Sequence, residues 1–455
     1  MSALWTAAEI AEATGGSVSG DFQVDGVAFD SREVGLRDLF VALTGEATDG
    51  HRFLTQAYDQ GASGSLVSQG TGRPHVRVAD TQAALADLGR AARTRTAATV
   101  IGVTGSVGKT SAKEALYACL DRSMRGAVHR SVKSYNNHTG VPLSLARMLR
   151  HVRAGVFEMG MNHAGELARL TRLVRPHVAV ITAIAPAHTE FFPDESAIAD
   201  AKGEIFEGLE AGGTAIVPYD SPHRDRLIAA ARPHAARIVT FGTGKGADVR
   251  AVEAMRLPTG GSFVTARLGD RELSFTLSQP GAHWVSNALA VLATVDAVGA
   301  DLGLAGLALA DLGGLPGRGA RFLAKVAGGD ALVIDESYNA NPASMRATLA
   351  VLAAEAGRHV AILGEMRELG TDSGRYHAEL ASAVEAARVE TALLVGEAMA
   401  PLAAALEKST SVVHVADTAD AIASLGDLLA PDDAVLVKGS NGVGLSRLIA
   451  ALRGQ

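Results

Sequence analysis

The residues most able to do chemistry lie in a glycine-rich stretch, "VIGVTGSVGKTSAKEAL", which spans residues 100–116. An apolar strand, "TVIG", precedes the glycines, and the apolar spacing after Lys109 predicts a helix. Backbone N–H groups and the helix dipole at such a strand–helix turn can bind phosphate. Lys109 would neutralise phosphate charge, and the Thr110 hydroxyl would reach Mg²⁺. The predicted phosphate-binding loop comprises Gly105, Ser106, Val107, Gly108, Lys109, Thr110 and Ser111.

The loop departs from the strict phosphate-binding pattern at one position. Six residues before Lys109 that pattern has glycine, whereas this chain has Val103. The alternative interpretation is a plain glycine-rich turn between a strand and a helix. The Asn-Lys-x-Asp motif of Ras-type GTPases is absent from the sequence, which favours ATP as the nucleotide.

Two further polar residues follow predicted strands of the same segment. Glu158 comes after "AGVF", and His188 comes after "HVAVITAIAPA". Ligands of open α/β sheets bind beyond the carboxyl ends of the strands, so both side chains should converge on Lys109 and Thr110. A carboxylate and an imidazole suit a metal ion. The alternative for a single histidine at such a position is a structural role.

Lys202 lies within an apolar helix stripe. The segment "DESAIADAKGEIFEGL" predicts a helix capped near Asp194, and Lys202 falls on the face of Ile198, Ile205 and Phe206. One interpretation is a lysine whose stem is buried and whose ammonium reaches water. The other is a buried amine with a lowered pKa, which can react with CO₂ to form a carbamate that binds a cation.

The elements that must position these residues divide the chain into three segments. Short strand-like pieces with Gly-rich turns predict a small α+β N-terminal domain, whose topology the pattern does not specify. Apolar strands then alternate with helices, and alternating residues between 248 and 278 predict an antiparallel meander. After the Gly- and Pro-rich "LGGLPGRGA" the alternation of strands and helices resumes. We therefore expect an α/β protein with domains at 1–81, 82–315 and 316–455, the central one having a P-loop-type, mostly parallel sheet.

Composition excludes several classes of protein. The net charge of the 455 residues is −7, so there is no basic field for nucleic acid. Cys119 is the single cysteine, so no disulfide framework exists and a reducing compartment is expected. No apolar run is long enough for a membrane span, and the N-terminus lacks the basic region of a signal peptide. We expect a cytoplasmic protein.

Motifs along nearly the whole chain carry a family resemblance. Besides the phosphate loop these are "YNNHTGVPLSL", "FEMGMNHAGEL", "AKGEIFEGL", "DESYNANPASM", "LGEMRELG" and "VLVKGSNG". With them the chain resembles the Mur ligase family, ATP-dependent enzymes that extend the peptide stem of the cell-wall precursor. The motifs "NHAGE" and "SYNANPASM" resemble those of the family members that add D-alanyl-D-alanine. The Asp-Asn-Pro-Arg tetrapeptide often carried by the sibling that adds the third stem residue is absent from the sequence.

The resemblance implies a role for each domain and for individual residues. The first domain would hold the UDP-muramyl substrate, the second ATP, and the third would be a Rossmann-like lid that also binds the amine substrate. The implied catalytic residues are Lys109, Asn136, Asn137, His188 and Lys202. Glu158, His188 and carbamoylated Lys202 would surround a second Mg²⁺, beside the one served by Thr110. Asn287 would contact adenine, and Arg318 and Asp335 would reach the nucleotide.

The resemblance also implies substrate contacts. The UDP-sugar site would comprise Ser31, Arg32, Asp49, Gly50, His51 and Phe53, and the dipeptide would lie near Tyr338, Asn339 and Asn341. After His283 the family often has asparagine, whereas this chain has Trp284. The Trp284 ring could stack on adenine or pack in the core, and we expect it to pack.

The implied activity joins D-alanyl-D-alanine to UDP-N-acetylmuramoyl-tripeptide through an acyl phosphate, with ATP and Mg²⁺ as cofactors. Its partners would be these small molecules alone, and the chain would be a monomer. The alternatives are a sibling ligase, which adds a single amino acid to the muramyl stem or glutamate to folate, and a P-loop switch that makes no bond.

Overall fold

The computed structural model describes residues 3–45, 48–187, 189–258, 260–406 and 409–454. Within these ranges the chain forms a mixed α/β structure with three successive sheets and one short strand pair. No helix in the described part is long and apolar enough to cross a membrane.

The first part of the chain contains a five-stranded sheet in the order β2-β7-β6-β5-β4, in which only β2 is antiparallel to its neighbour. The strand bounds are β1 Trp5–Thr6, β2 Ser17–Ser19, β3 Gln23–Val24, β4 Gly26–Ala28, β5 Asp38–Val41, β6 Gly64–Val67 and β7 His75–Arg77, and the helices are α1 Ala7–Thr14, α2 Leu54–Gln60 and α3 Thr81–Thr94. β1 and β3 form the separate pair. This topology is the part that sequence patterns did not predict.

Helix α3 connects the first sheet to the rest of the molecule. It begins after Asp80, whose side chain accepts hydrogen bonds from the N–H groups of Gln82 and Ala83. Leu85 and Leu88 of this helix share one core with Ile10 and with Leu143. The proposed domain boundary after residue 81 therefore falls at the start of a helix that packs against both the first and the central part of the chain.

The central sheet has nine strands in the order β16-β15-β14-β13-β12-β11-β8-β10-β9. Its strands are β8 Thr99–Thr104, β9 Val128–Arg130, β10 Ala154–Glu158, β11 Val178–Ile181, β12 Thr214–Pro218, β13 Arg237–Gly242, β14 Val249–Arg256, β15 Ser262–Leu268 and β16 Arg271–Leu277. The accompanying helices are α4 Lys109–Met124, α5 Gly140–Ala146, α6 Glu166–Val174, α7 Glu195–Gly203, α8 Arg224–Ala231, α9 Ala282–Ala297 and α10 Leu302–Ala310. β8 to β14 are parallel, and β15 and β16 complete the predicted antiparallel meander at one edge. The three-residue strand β9 was not predicted.

Both faces of β8, within the parallel part of this sheet, are buried, as a continuous apolar strand requires. Ile101 and Val103 of β8 lie in a core with α4 and α9, whereas Val100 lies in the opposite core with α6 and α7. The loop after β8 is therefore carried by a strand that is fixed from both sides.

The last sheet has six strands in the order β17-β18-β22-β19-β20-β21. Its strands are β17 Ala320–Val326, β18 Gly329–Glu336, β19 His359–Gly364, β20 Val389–Val395, β21 Ser411–Val415 and β22 Ala434–Lys438. Its helices are α11 Pro342–Leu352, α12 Ser373–Ala378, α13 Ala381–Ala386, α14 Ala400–Leu406, α15 Thr418–Ala423, α16 Leu425–Leu428 and α17 Leu445–Leu452. The alternation of strands and helices predicted for this segment is confirmed: β18 to β22 are parallel, and β17 adds an antiparallel edge that was not predicted. The last strand of the chain thus lies between β18 and β19. This arrangement places residues that are far apart in sequence side by side at the carboxyl ends of the strands.

The joint between the last two sheets is held by side chains that directly follow the last strand of the central sheet. The Ser278 hydroxyl and the Gln279 amide donate hydrogen bonds to the carbonyl of Leu312. Gly319 has φ +87°, and a Cβ there would lie 3.1 Å from Gln279 Oε1. The joint therefore requires glycine at its end.

Candidate active site

The predicted phosphate loop connects β8 to α4, and its backbone can be adopted only with glycine at two positions. Gly105 has φ +150°, and a Cβ there would lie 2.0 Å from Thr182 Oγ1. Gly108, with φ +85°, precedes α4, and no side chain caps that helix. The first N–H groups of α4 are therefore available to an anion, as a phosphate site requires.

The segment after β11 fixes the loop from one side. Thr182 Oγ1 donates a hydrogen bond to the Val107 carbonyl (2.5 Å), and Ser106 N donates to the Ala183 carbonyl (2.8 Å). Lys109 Nζ donates to the Gly105 carbonyl at 2.6 Å. Burial lowers the pKa of Lys109, an effect that Glu158 opposes and Arg318 increases.

Glu158, the last residue of β10, is 1% exposed and lies against the loop. Its Oε2 accepts a hydrogen bond from Thr110 Oγ1, and its Oε1 accepts one from Asn136 Nδ2, both at 2.8 Å. Its backbone N–H donates to Ser131 Oγ at 3.1 Å. Three of the predicted residues, Thr110, Asn136 and Glu158, thus meet through direct hydrogen bonds.

Lys202 is buried, with 1% of its surface exposed, near the end of α7. Burial, followed by the charge of Lys109, holds the pKa of Lys202 well below its usual value. In the described part of the chain no hydrogen bond or ion pair reaches its Nζ. The predicted helix with its cap at Asp194 is confirmed, and the lysine whose ammonium reaches water is not what the structure shows.

A cavity of about 350 Å³ lies between the central and the last sheet. The predicted residues that line it are Ser106, Val107, Gly108, Lys109, Thr110, Ser111, Asn136, Glu158, Asn287, Arg318, Tyr338, Asn339 and Asn341. Gly105, Asn137, Lys202 and Asp335 do not line it. His188 lies outside the described residues.

Two predicted residues have mainly structural contacts. Both carboxylate oxygens of Asp335 are occupied: Oδ2 accepts from Gly317 N at 2.9 Å, and Oδ1 accepts from Ser337 N and Oγ. Asn137 Oδ1 accepts from Gly140 N at 2.9 Å, at the start of α5. Asp335 thus fixes the joint, and Asn137 orders the turn after Asn136.

Residues that belong to the last domain line the wall of the cavity that faces the phosphate loop. The Arg318 guanidinium lies 4.2 Å from the centre of the Tyr338 ring and donates to Ser134 Oγ at 3.4 Å. Asn341 caps α11, since its Oδ1 accepts from Ser344 N at 2.9 Å. Arg318 therefore contacts the central sheet's loops from the far side of the joint.

Two residues near the loop are contributed by α9. Asn287 lies beside Gly108, where a Cβ would be 2.6 Å from the Asn287 Oδ1 atom. Trp284 is 4% exposed and belongs to the core that includes α4, although it also borders the cavity. The expected packing role of Trp284 agrees with this position.

Sequence patterns missed a group of charged residues on the opposite wall of the cavity. Lys438 Nζ donates to the Asn339 carbonyl at 2.9 Å and lies 3.7 Å from Glu336 Oε2. Burial lowers the pKa of Lys438 and raises that of Glu336. Burial, with the charge of Lys438, also lowers the pKa of His283 to about 4. The positions of Glu336 and Lys438 at the ends of β18 and β22 were the signal that could have found them.

The residues predicted to contact UDP-sugar lie in the first part of the chain and do not line this cavity. Asp49 Oδ1 accepts from His51 Nδ1 at 2.6 Å, and His51 Nε2 accepts from Ser68 N at 3.0 Å. Ser31 Oγ donates to Gln56 Oε1 at 3.0 Å, Arg32 pairs with Asp30, and Phe53 is 38% exposed. Gly50 starts the turn that carries His51.

Comparison with known proteins covers most of the chain. The model of the Mur ligase middle domain matches residues 103–295, and that of the Mur ligase, glutamate ligase domain matches residues 320–441. The UDP-N-acetylmuramoyl-tripeptide–D-alanyl-D-alanine ligase of Escherichia coli (strain K12) is 34% identical over 453 residues, 98% of each chain.

Solved structures agree with this similarity. A crystal structure of MurF from Acinetobacter baumannii superposes with a TM-score of 0.86 at 32% identity, over 99% of both chains. The crystal structure of MurF ligase from Thermotoga maritima in complex with ADP has a TM-score of 0.78 at 26% identity, over 94% of this chain and 97% of that one. Because the two family models together match more than half of the chain, and the Escherichia coli relative is 34% identical over 98% of it, the chain belongs to the Mur ligase family.

Proposed function

We propose that this Mur ligase uses ATP to join D-alanyl-D-alanine to UDP-N-acetylmuramoyl-tripeptide. The observation that carries the proposal is the cavity in which an uncapped phosphate loop faces the strand ends of the last sheet. The full-length relatives named for this reaction support the choice of substrates.

The phosphate loop would bind the nucleotide's phosphates. The N-terminal N–H groups of α4 and the Lys109 ammonium offer donors and positive charge to them. Lys109 would exchange its present acceptor, the Gly105 carbonyl, for phosphate oxygen. Asn287 is proposed to contact adenine, and Arg318 to reach the nucleotide from the opposite wall.

The donors near the loop fit Mg²⁺. Thr110 and Glu158 offer a hydroxyl and a carboxylate oxygen in direct contact, and Mg²⁺ prefers oxygen ligands. No group of three or more His, Cys, Asp or Glu side chains suited to a metal occurs in the described part of the chain. Such a sparse set is typical of a cation held partly by substrate phosphates and water. When bound, Mg²⁺ would offset phosphate charge during transfer.

Lys202 is proposed to carry the carbamate. A buried amine that has no partner among the described residues and has a lowered pKa favours the neutral form, which attacks CO₂. The anionic carbamate would be balanced by Lys109, whose charge already acts on Lys202. With Glu158 and His188 it would complete the surroundings of a second Mg²⁺.

The chemistry requires activation because a carboxylate is a poor electrophile. Transfer of the γ-phosphoryl group from ATP to the tripeptide carboxylate releases ADP and gives an acyl phosphate, from which phosphate leaves readily. The amine of D-alanyl-D-alanine then attacks the acyl carbon, and an amide and phosphate result. Lys109 and the α4 N-terminus stabilise charge on the transferring group, and the walls of the cavity exclude water that would hydrolyse the intermediate.

The remaining assignments complete the proposal. Residues 1–81 would bind the UDP-muramyl part through Ser31, Arg32, Asp49, Gly50, His51 and Phe53. Residues 82–315 would bind ATP, and residues 316–455 would close over it and bind the dipeptide near Tyr338, Asn339 and Asn341. The chain would act as a cytoplasmic monomer.

The test is a panel of UDP-muramyl acceptors and amines, scored by product mass in the presence of ATP and Mg²⁺. We expect a product only from the tripeptide acceptor with D-alanyl-D-alanine, with one ADP formed per amide. Lys109→Ala serves as the control, with turnover lower by roughly 10³-fold because a charge contact to the transferring phosphoryl group is lost. Ligation of single amino acids or glutamate instead would assign the chain to a sibling activity. ADP release that does not depend on an amine would indicate a nucleotide switch.

A further inference from the structure

A second lysine of the phosphate-loop helix, Lys113, has 0% of its surface exposed. It lies one helical turn after Lys109 and on the same face of α4 as Lys109 and Thr110. A buried ammonium is costly unless charged and hydrogen-bonding partners surround it. The partners of Lys113 therefore indicate its role.

The Lys113 ammonium lies between two carboxylates and a backbone carbonyl. Its Nζ donates to the Lys133 carbonyl at 2.7 Å and lies 3.1 Å from Glu114 Oε1 and 3.6 Å from Glu158 Oε2. Glu114 is held in turn by Arg130, whose Nε lies 2.8 Å from Glu114 Oε2. The ammonium is thus fixed on the outer side of the carboxylate that faces the phosphate loop.

The carbonyl that Lys113 binds belongs to the segment 131–137, which carries other contacts to Glu158. Lys133 has φ +54°, a left-handed conformation that is unfavourable for a residue with a side chain. In the same segment Asn136 Nδ2 donates to Glu158 Oε1, and Ser131 Oγ accepts from Glu158 N. Lys113 therefore acts on Glu158 both directly and through this segment.

We propose that Lys113 is a positioning residue of the active site, which supplies Glu158 with a resident counter-charge and anchors the segment that carries Asn136. The inference rests on the proposed function, since it assigns Lys113 to the carboxylate that would bind Mg²⁺. The ammonium and a cation share Glu158 Oε2, so they compete for it. Removal of the Lys113 charge would let Glu158 attract Mg²⁺ more strongly, by Coulomb's law. It would also leave the segment that carries Asn136 less firmly anchored.

These two effects have opposite signs, which separates positioning from a general loss of stability. In Lys113→Met the Mg²⁺ concentration that half-saturates ADP binding, measured by calorimetry, should fall roughly three- to tenfold. The kcat of the same variant should fall roughly tenfold or more because Asn136 is no longer fixed. Lys325→Met is the matched control, since the side chain of that lysine is 86% exposed and pairs with Asp330 at the surface. Both of its values should equal those of the wild type.

A second variant keeps the test decisive where Lys113→Met does not fold. In Glu114→Gln the ammonium keeps only Glu158 as its charged partner, so the half-saturating Mg²⁺ concentration should rise at least threefold. Where Lys113→Met does fold, a double-mutant cycle of Lys113→Met with Glu158→Gln, measured by denaturant unfolding without ligands, should show a non-additive free energy because the two charges interact.

The outcomes separate the inference from the function on which it rests. Wild-type protein that shows no Mg²⁺-dependent ADP binding contradicts the proposed function. Wild-type protein with such binding, combined with an unchanged half-saturating Mg²⁺ concentration in Lys113→Met and Glu114→Gln, overturns the role of Lys113 alone. An additive double-mutant cycle overturns it as well.

Discussion

At the scale of single residues, Lys202 of α7 is buried and has no hydrogen-bond or ion-pair partner in the described part of the chain. We expect Lys202→Ala to lose roughly 10²-fold in kcat, the size of effect seen when one charge-stabilising group is removed. Short carboxylates such as acetate should partly restore it because they replace the carbamate. Lys202→Arg should stay inactive, since guanidinium forms no carbamate, and removal of CO₂ and bicarbonate should lower wild-type activity.

The control for added carboxylates is Lys245→Ala, at an exposed lysine, which should behave as wild type with and without them. Full activity of Lys202→Arg would contradict the carbamate and leave a buried amine without that modification.

His129 provides a residue-scale prediction about pH. Its Nε2 donates to the Ser144 carbonyl at 2.8 Å, and its ring packs beside Phe157. Burial lowers the pKa of His129 from 6.5 to about 4. The unfolded chain therefore binds the proton more tightly than the folded protein does. The contribution of His129 to the free energy of unfolding is complete above pH 6.5 and is lost as the pH falls towards 4.

The shift of His129 corresponds to at most about 3 kcal/mol of stability lost at low pH. We expect His129→Gln to reduce the pH dependence of the free energy of unfolding between pH 6.5 and 4, measured by denaturant titration, while His283, whose pKa is also lowered to about 4, retains part of it. An equally steep dependence in the variant would show that other groups cause the loss.

At the scale of elements, the turn between β8 and α4 depends on the left-handed glycine that precedes the helix. In Gly108→Ala the new Cβ would lie 2.6 Å from Asn287 Oδ1, in addition to the strain of φ +85°. We expect ADP to bind at least tenfold more weakly, by calorimetry, because the loop must shift away from its phosphate-binding shape.

Gly126→Ala is the matched control for this strain. Gly126 has φ +71°, and a Cβ there would meet nothing within 4 Å. Its substitution should lower the free energy of unfolding by about 1–2 kcal/mol, the cost of a left-handed residue, and leave ADP binding unchanged. Equal ADP affinities in the two variants would show that the shape of the loop does not limit binding.

At the scale of the whole molecule, the cavity walls belong to two sheets connected by one short joint. We expect small-angle scattering to show a smaller radius of gyration with an ATP analogue and acceptor than without ligands, because phosphate and Arg318 would draw the last sheet towards the loop. Binding is confirmed separately by calorimetry. An unchanged scattering profile with both ligands bound would contradict closure of the last domain.

The sequence by itself determined those parts of the molecule that depend on neighbours along the chain. The phosphate loop was predictable because an apolar strand, a run of glycines and a helix start follow one another within about a dozen residues. Helical periodicity placed Lys202 on the apolar face of its helix but left open whether its ammonium is buried, and the parallel strands followed from their continuous apolar character. Glu158 was predictable as a residue at a strand end.

Only the tertiary structure decided what depends on contacts between distant segments. β9 is too short to recognise, and its pairing with β10 is set by the fold. β17 is a different case, since it pairs with the next strand, β18, across a two-residue turn and was missed although that contact is local. The insertion of β22 between β18 and β19 places Lys438 beside Glu336, about 100 positions away in the chain. The partners of Asp335 and of Lys113 were likewise undetermined. Side-chain type and local spacing state what a residue can do, but its partners depend on how the sheets pack, which no local pattern encodes.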